Sequence, residues 1–363
     1  MTPRLLFPVA PHSYFRAVNK LSERRAFLTS DTSEPVFKYP PYFKLETINE
    51  RLAELELHSP QYASLSLVKI SAILQDDETK LAEFRKINAT LFGEPRPEYA
   101  YAILQRIAAC VTPETRSIWR EVVKRTGKID ASTEVIAPSD EIFARYRQYL
   151  RQYVPILKTK DRSLVELMED QLHATGLDQR GWDLKILPTA VHAKTNHKIK
   201  QITLGEFYEP RTARAKKRIV THEVFGHAIR GQQASIDESE GFATVLEQLV
   251  DPKFKYRRSY RYLAVSLGWG ALGTPMTFRE VFEIMWRVMM IGSKYSQLNA
   301  RKHAFDECYR AFRGGRPDMA GAAFLKDAVY FDANIRMWDV LINQELSYNE
   351  FVDIIEGRRT LLS

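Results

Sequence analysis

Between Thr221 and Ala228 the chain reads Thr-His-Glu-Val-Phe-Gly-His-Ala, and the five-residue separation of His222 and His227 restricts what this stretch can become. Residues four apart on an α-helix lie about 40° apart around the axis, whereas residues five apart lie about 140° apart, so a regular helix points the two imidazoles away from each other. A single π-turn, in which backbone hydrogen bonds run from i to i+5, returns both rings to nearly one face. Gly226, inside the segment, is the residue expected to ease that distortion. The spacing predicts either two unrelated histidines or a bulged helix whose histidines act together.

Two imidazoles and a carboxylate so close together are the donor types of a hydrolytic zinc centre. Such a centre has three nitrogen or oxygen ligands and one open position for water, and a glutamate beside the first histidine can take the proton from that water. His222 and His227 are therefore candidate ligands and Glu223 the candidate base. In a chain of 363 residues with 8 His and 45 acidic residues, the pattern His-acid-x-x-x-His arises by chance about 0.02 times. The motif alone leaves open the plainer reading of two core or surface histidines. A third ligand is sought in Asp237-Glu238-Ser239-Glu240-Gly241-Phe242-Ala243-Thr244, with Glu240 the first choice and Glu238 the second. Glu238 also fits a solvated acidic first turn, which the helix dipole favours. Glu240, Thr244 and Glu247 share one helix face, so Thr244 or Glu247 is placed to brace a histidine from behind.

The rest of the sequence frames this segment. Hydrophobic content of 45% and 11% aromatics suffice for a real core. No window is long and apolar enough for a membrane span, and the first twenty residues lack the apolar stretch of a signal peptide, so a cytoplasmic protein is expected. Cys110 and Cys308 sit in helix-like apolar patterns, outside any CxxC spacing, and are expected as buried thiols. The net charge of +8 favours anionic partners. The basic residues are dispersed, however, and no zinc finger, aromatic RNA-binding motif or basic zipper region is present.

The first forty residues, with Pro8, Pro11, Pro35, Pro40 and Pro41, predict an extended arm. Helical period follows over Glu46–Leu57, Leu65–Leu91 and Glu98–Val111. A break at Ala137-Pro138-Ser139 leads to a helix over Asp140–Val154 capped by Ser139, and a capping box pairs Ser163 with Glu166. Gly176 and Gly181 close that region, and Leu184–Glu206 loses helical period and predicts a small sheet. Helices return over Arg214–Arg230 and Glu238–Leu249, from a capping box at Thr277 and Glu280 to Ile291, and over 294–313, 319–343 and 348–356. The expectation is an α+β chain, predominantly helical with a small sheet beside the HExxxH helix. Residues 1–138 would form the arm and a helical region, and 139–363 the domain that carries the motif.

His222-Glu-Val-Phe-Gly-His-Ala-Ile-Arg230 followed by Glu238-Ser-Glu-Gly-Phe-Ala243 resembles the HExxxH…EGLA pattern of the tyrosine carboxypeptidase metallopeptidases, which include the microtubule-associated tyrosine carboxypeptidases and bacterial QEGLA-motif proteins. Arg310-Ala-Phe-Arg-Gly-Gly315 with Ala323-Phe-Leu-Lys-Asp-Ala-Val-Tyr330 resembles that family's RxxRG…FTKDxxYL block, in the same order along the chain, so the likeness spans roughly 140–345. The resemblance implies zinc held by His222, His227 and Glu240, Glu223 as base, and a peptide or protein C-terminus as substrate. Phe225-Gly226 stands where the family has Gly-Thr, Ser239 replaces an acidic or Gln position, Phe242 replaces Leu, and the linker from His227 to Glu240 is short.

A carboxypeptidase needs a cation for the substrate's α-carboxylate, and Arg230, Arg313 and Lys326 are the candidates for substrate binding. Tyr330, four residues after Lys326, is a candidate catalytic donor to the oxyanion. Two other readings compete. One is a non-catalytic metal- or peptide-binding protein. The other is a basic nucleic-acid-associated protein using Arg211–Arg218 and Arg257–Arg261. The sequence does not speak to oligomeric state.

Overall fold

The computed structural model describes residues 81–127, 138–154, 162–187, 193–206, 208–210, 212–231, 236–251, 259–312 and 319–361. The expected N-terminal arm, the helix over 46–57 and the start of that over 65–91 lie outside these residues, as do Ala137, Arg211, Arg257, Arg258 and the block Arg313–Gly315. In chain order the elements are α1 (Leu81–Phe92), α2 (Pro97–Ala108), a 3-10 turn (Pro113–Thr115), α3 (Arg116–Thr126), α4 (Asp140–Tyr153), α5 (Leu164–Ala174), β1 (Asp183–Leu187), β2 (Lys194–Asn196), β3 (Gln201–Gly205) and α6 (Ala213–Val220). A π-helix (Thr221–Ala228) continues α6, followed by α7 (Ile236–Val250), α8 (Ser259–Trp269), α9 (Phe278–Gly292), α10 (Gln297–Ala311), α11 (Lys326–Gln344) and α12 (Tyr348–Ile355). The described residues are mostly helical with one three-stranded sheet, the expected α+β class.

The chain divides into two compact units. Among the described residues, the first holds 138–251 and 333–361, and the second holds 81–127 and 259–332. Residues 259–332, expected in one domain with 139–258, cluster with the N-terminal helices, where α8 and α9 both pack against α2.

In the first unit the helix starts follow their caps. Ser139 Oγ accepts the Ile142 amide at 3.2 Å, and Ser163 with Glu166 forms a reciprocal box that opens α5. The sheet has the order β1-β3-β2, with β1 parallel and β2 antiparallel to β3. Leu184 and Thr195 both lie opposite Ile202, so all three share one face. Ile202 and Leu204 carry that face into a core that includes Leu167, Val224, Phe225, Phe242 and Phe351. The buried Tyr146 and Gln248 are paired. Tyr146 donates its hydroxyl to Leu341 O at 2.7 Å, and Gln248 Oε1 accepts from Trp338 Nε1 at 2.7 Å and from Asn334 Nδ2 at 3.1 Å.

The described residues of the second unit form helices and turns alone. Its α8 is buried around almost its whole circumference, from Ser259 to Trp269, and α9 and α10 form a closely packed pair. Cys308 is buried there, and its burial raises the thiol's pKa. Cys110 departs from expectation. It is exposed, because α2 ends at Ala108 and Cys110 falls in the turn beyond.

Candidate metal centre

The local geometry begins with the π-helix. The Ile229 amide donates to Val224 O, five residues back, at 2.9 Å. The two imidazoles consequently meet: their ring centroids are 4.7 Å apart at an interplanar angle of 81°, and His222 Nε2 lies 3.1 Å from His227 Nε2. Gly226 has a further role. A Cβ there would sit 2.8 Å from Ala243 Cα, so its bare backbone admits close approach of α7. Gly241 does the same on the other side of α7, where a Cβ would meet Ala333 O at 2.6 Å. The small residues around the motif thus bring its helix and α7 together.

That approach delivers Glu240. Its Oε2 lies 3.5 Å from His222 Nε2 and 3.7 Å from His227 Nε2. Three donors separated by 3.1, 3.5 and 3.7 Å share a centre about 2.0 Å from each, which matches metal–nitrogen and metal–oxygen bond lengths for a small divalent ion. Among the described residues, His222, His227 and Glu240 are the group of His, Cys, Asp and Glu side chains that could hold a metal. The structure brings together the first-choice ligand set and leaves out Glu238.

Each histidine is braced through its other nitrogen. Glu247 Oε1 lies 2.7 Å from His222 Nδ1, and Ser239 Oγ lies 2.8 Å from His227 Nδ1. Such partners fix ring orientation and leave Nε2 to face the centre. Glu247 was anticipated. Thr244 instead donates to Glu240 O at 2.8 Å, a helical back-bond. Ser239, which stands as a departure from the family pattern, turns out to be the His227 partner. Glu223 is buried, with Thr195 Oγ1 donating to its Oε2 at 2.7 Å. Neither Ser239 nor Thr195 was singled out from the sequence: a lone serine or threonine carries no spacing signal, and Thr195 comes from a different element.

The electrostatics reflect an excess of donors. Burial pulls the His222 imidazole down, but Glu240 and Glu247 overcome this and raise its pKa to about 10. Burial lowers His227 to about 3, Glu240 opposing and His222 adding to the effect. The Glu223 carboxyl is raised, first by burial, with His222 and Thr195 pulling the other way and Glu240 and Glu247 adding to the rise.

The other expected site residues fall elsewhere. Arg230 is corrected: it is 2% exposed, ion-paired with Glu238 and lying over Phe242 at 4.9 Å, so its guanidinium is committed inside the protein. Glu238, which also accepts from the Leu361 amide at 2.9 Å, is for the same reason neither a solvated first-turn acid nor a ligand. Arg313 lies outside the described residues, and Lys326 and Tyr330 open α11 in the second unit. The basic runs are partly spent on acids, Lys216 on Glu209, Arg218 on Asp251 at 2.7 Å and Arg261 on Glu307 at 2.9 Å. Among the described residues no helix is long and apolar enough to cross a membrane. In comparisons with known proteins, the chain matches no family model, no curated protein and no solved structure.

Proposed function

We propose that this protein is a zinc-dependent metallopeptidase that removes a C-terminal residue from a peptide or protein. The observation that carries this reading is the convergence of His222, His227 and Glu240 on one centre, with a buried acid, Glu223, next to the first ligand. Two nitrogens and one oxygen at that radius suit zinc, with a coordination position left for solvent. When bound, zinc would lower the pKa of water and polarise the carbonyl under attack. Glu223 then accepts a proton from the attacking water and returns it to the leaving amine. Burial favours that exchange, because a carboxyl raised above its ordinary range both takes and releases a proton nearer neutrality.

The carboxypeptidase part of the reading rests on the family resemblance.

The test is digestion of a peptide library by the purified protein with and without chelator, read by mass spectrometry, alongside metal analysis. Loss of single C-terminal residues, stopped by chelator and restored by zinc, is expected. Glu223→Gln should keep its zinc and lose turnover by roughly 10²- to 10⁴-fold. Internal cuts would overturn the exopeptidase assignment, cleavage that continues in metal-stripped protein would overturn the zinc dependence, and no cleavage of any peptide would overturn the enzyme reading.

A further inference from the structure

Thr195 belongs to β2, which packs against the π-helix that holds the histidines. Its position opposite Ile202, which is fully buried, turns its side chain to the core face of the sheet. There Thr195 Oγ1 lies 2.7 Å from Glu223 Oε2 and 3.2 Å from Glu223 O. One hydroxyl proton cannot serve both oxygens fully, and the shorter distance assigns it to the carboxylate. Threonine suits the task because branching at Cβ restricts χ1, and a strand holds its backbone still. A glutamate has three side-chain torsions, and without such a tie its carboxylate can rotate within the site.

We infer that Thr195 is a positioning residue for the base: it fixes Oε2 of Glu223, so that Oε1 is the oxygen presented to the reacting water. The inference rests on the metallopeptidase reading for its kinetic consequence, but the tie itself is testable without turnover.

Thr195→Val removes the hydroxyl at nearly constant shape, and Thr195→Ser keeps it. Crystal structures of both variants should show the Glu223 carboxylate displaced in the valine protein and in place in the serine protein. With the fastest-cleaved peptide of the library as substrate, Thr195→Val should lower kcat roughly 10- to 100-fold while KM and zinc content stay unchanged, and Thr195→Ser should restore most of the loss. An unmoved Glu223 in Thr195→Val, an unchanged kcat, or loss of zinc in either variant overturns the assignment. If the parent protein binds zinc but cleaves no peptide, the functional reading has failed, and the crystallographic comparison still decides the role of Thr195.

Discussion

The π-helical segment, the turn after it and α7 hold two clusters of buried charge, one nested inside the other along the chain, and the clusters are balanced differently. Arg230 and Glu238 form a closed account: one cation, one anion, the ring of Phe242 beneath the guanidinium and the Leu361 amide on the carboxylate. At the other cluster, two imidazoles face three carboxylates, Glu223, Glu240 and Glu247, and the histidine Nε2 atoms stand 3.1 Å apart. The first is complete with the protein's own atoms and acts as a lock. The second draws two imidazole nitrogens and a carboxylate oxygen to a single point, with two further carboxylates beside them. Local sequence does not separate them, since each begins as a basic residue and a glutamate across the same short linker. What separates them is that one carboxylate meets a permanent guanidinium cation and the others meet titratable imidazoles.

Substitutions sharpen that contrast. The largest effect is expected from His227→Ala or Glu240→Ala, which should abolish stoichiometric zinc binding, with little cost to folding of the metal-free protein. Metal analysis and thermal melts check this, and a variant that keeps full zinc would dissolve the distinction. Arg230→Met should do the reverse, destabilising the protein by about 3–5 kcal/mol because Glu238 is left buried without its partner, while surviving folded protein still binds zinc. Denaturant titration measures the loss; a change under 1 kcal/mol would mean the pair is not a lock.

A smaller effect is expected at the brace. Glu247→Gln should weaken zinc affinity by about 10- to 100-fold in chelator competition, with the fold intact, since only the orientation and basicity of His222 change. Unaltered affinity would remove Glu247 from the centre. The smallest effect concerns pH and the metal-free protein. His222 titrates near 10 when folded and near its ordinary 6.5 when unfolded, so its stabilising contribution is full below about pH 6.5 and declines toward pH 10. His227, at about 3 when folded, contributes in the opposite sense, its stability present above pH 6.5 and lost on acidification toward pH 3. The melting temperature of the metal-free protein should therefore pass through a maximum near pH 6.5 as far as these two histidines set it. A melting temperature that does not fall on either side of that pH would show that these histidines do not carry the apo-state charge.

Much of the centre was legible because its constraints are local. The five-residue histidine spacing required a bulge if the two rings were to act together, and Glu240 with Glu247 on one helix face followed from period alone. The helix starts at Ser139, Ser163 and Thr277 were legible for the same reason: a cap and its partner lie three residues apart. Two helices escaped. Ser259–Trp269 is buried nearly all round and so presents no clear amphipathic period, whereas Arg116–Thr126 is amphipathic but short, its apolar residues confined to Ile118, Trp119, Val122 and Val123. Arg230 was misread because burial of a charge depends on a partner, and Glu238 approaches only once α7 has packed.

By itself, then, the sequence determined the donor chemistry, the π-turn and the α+β class, all of which follow from residue types and spacings within a turn or two. Tertiary structure decided the rest: that 259–332 cluster with the N-terminal helices, that Ser239 braces His227, that Thr195 reaches Glu223 from a strand 28 residues away, and that Arg230 is a lock. The physical reason is range. A helix or turn is specified by neighbours in the chain, whereas the partner of a buried polar group is whichever side chain the packing of separate elements brings within about 3 Å.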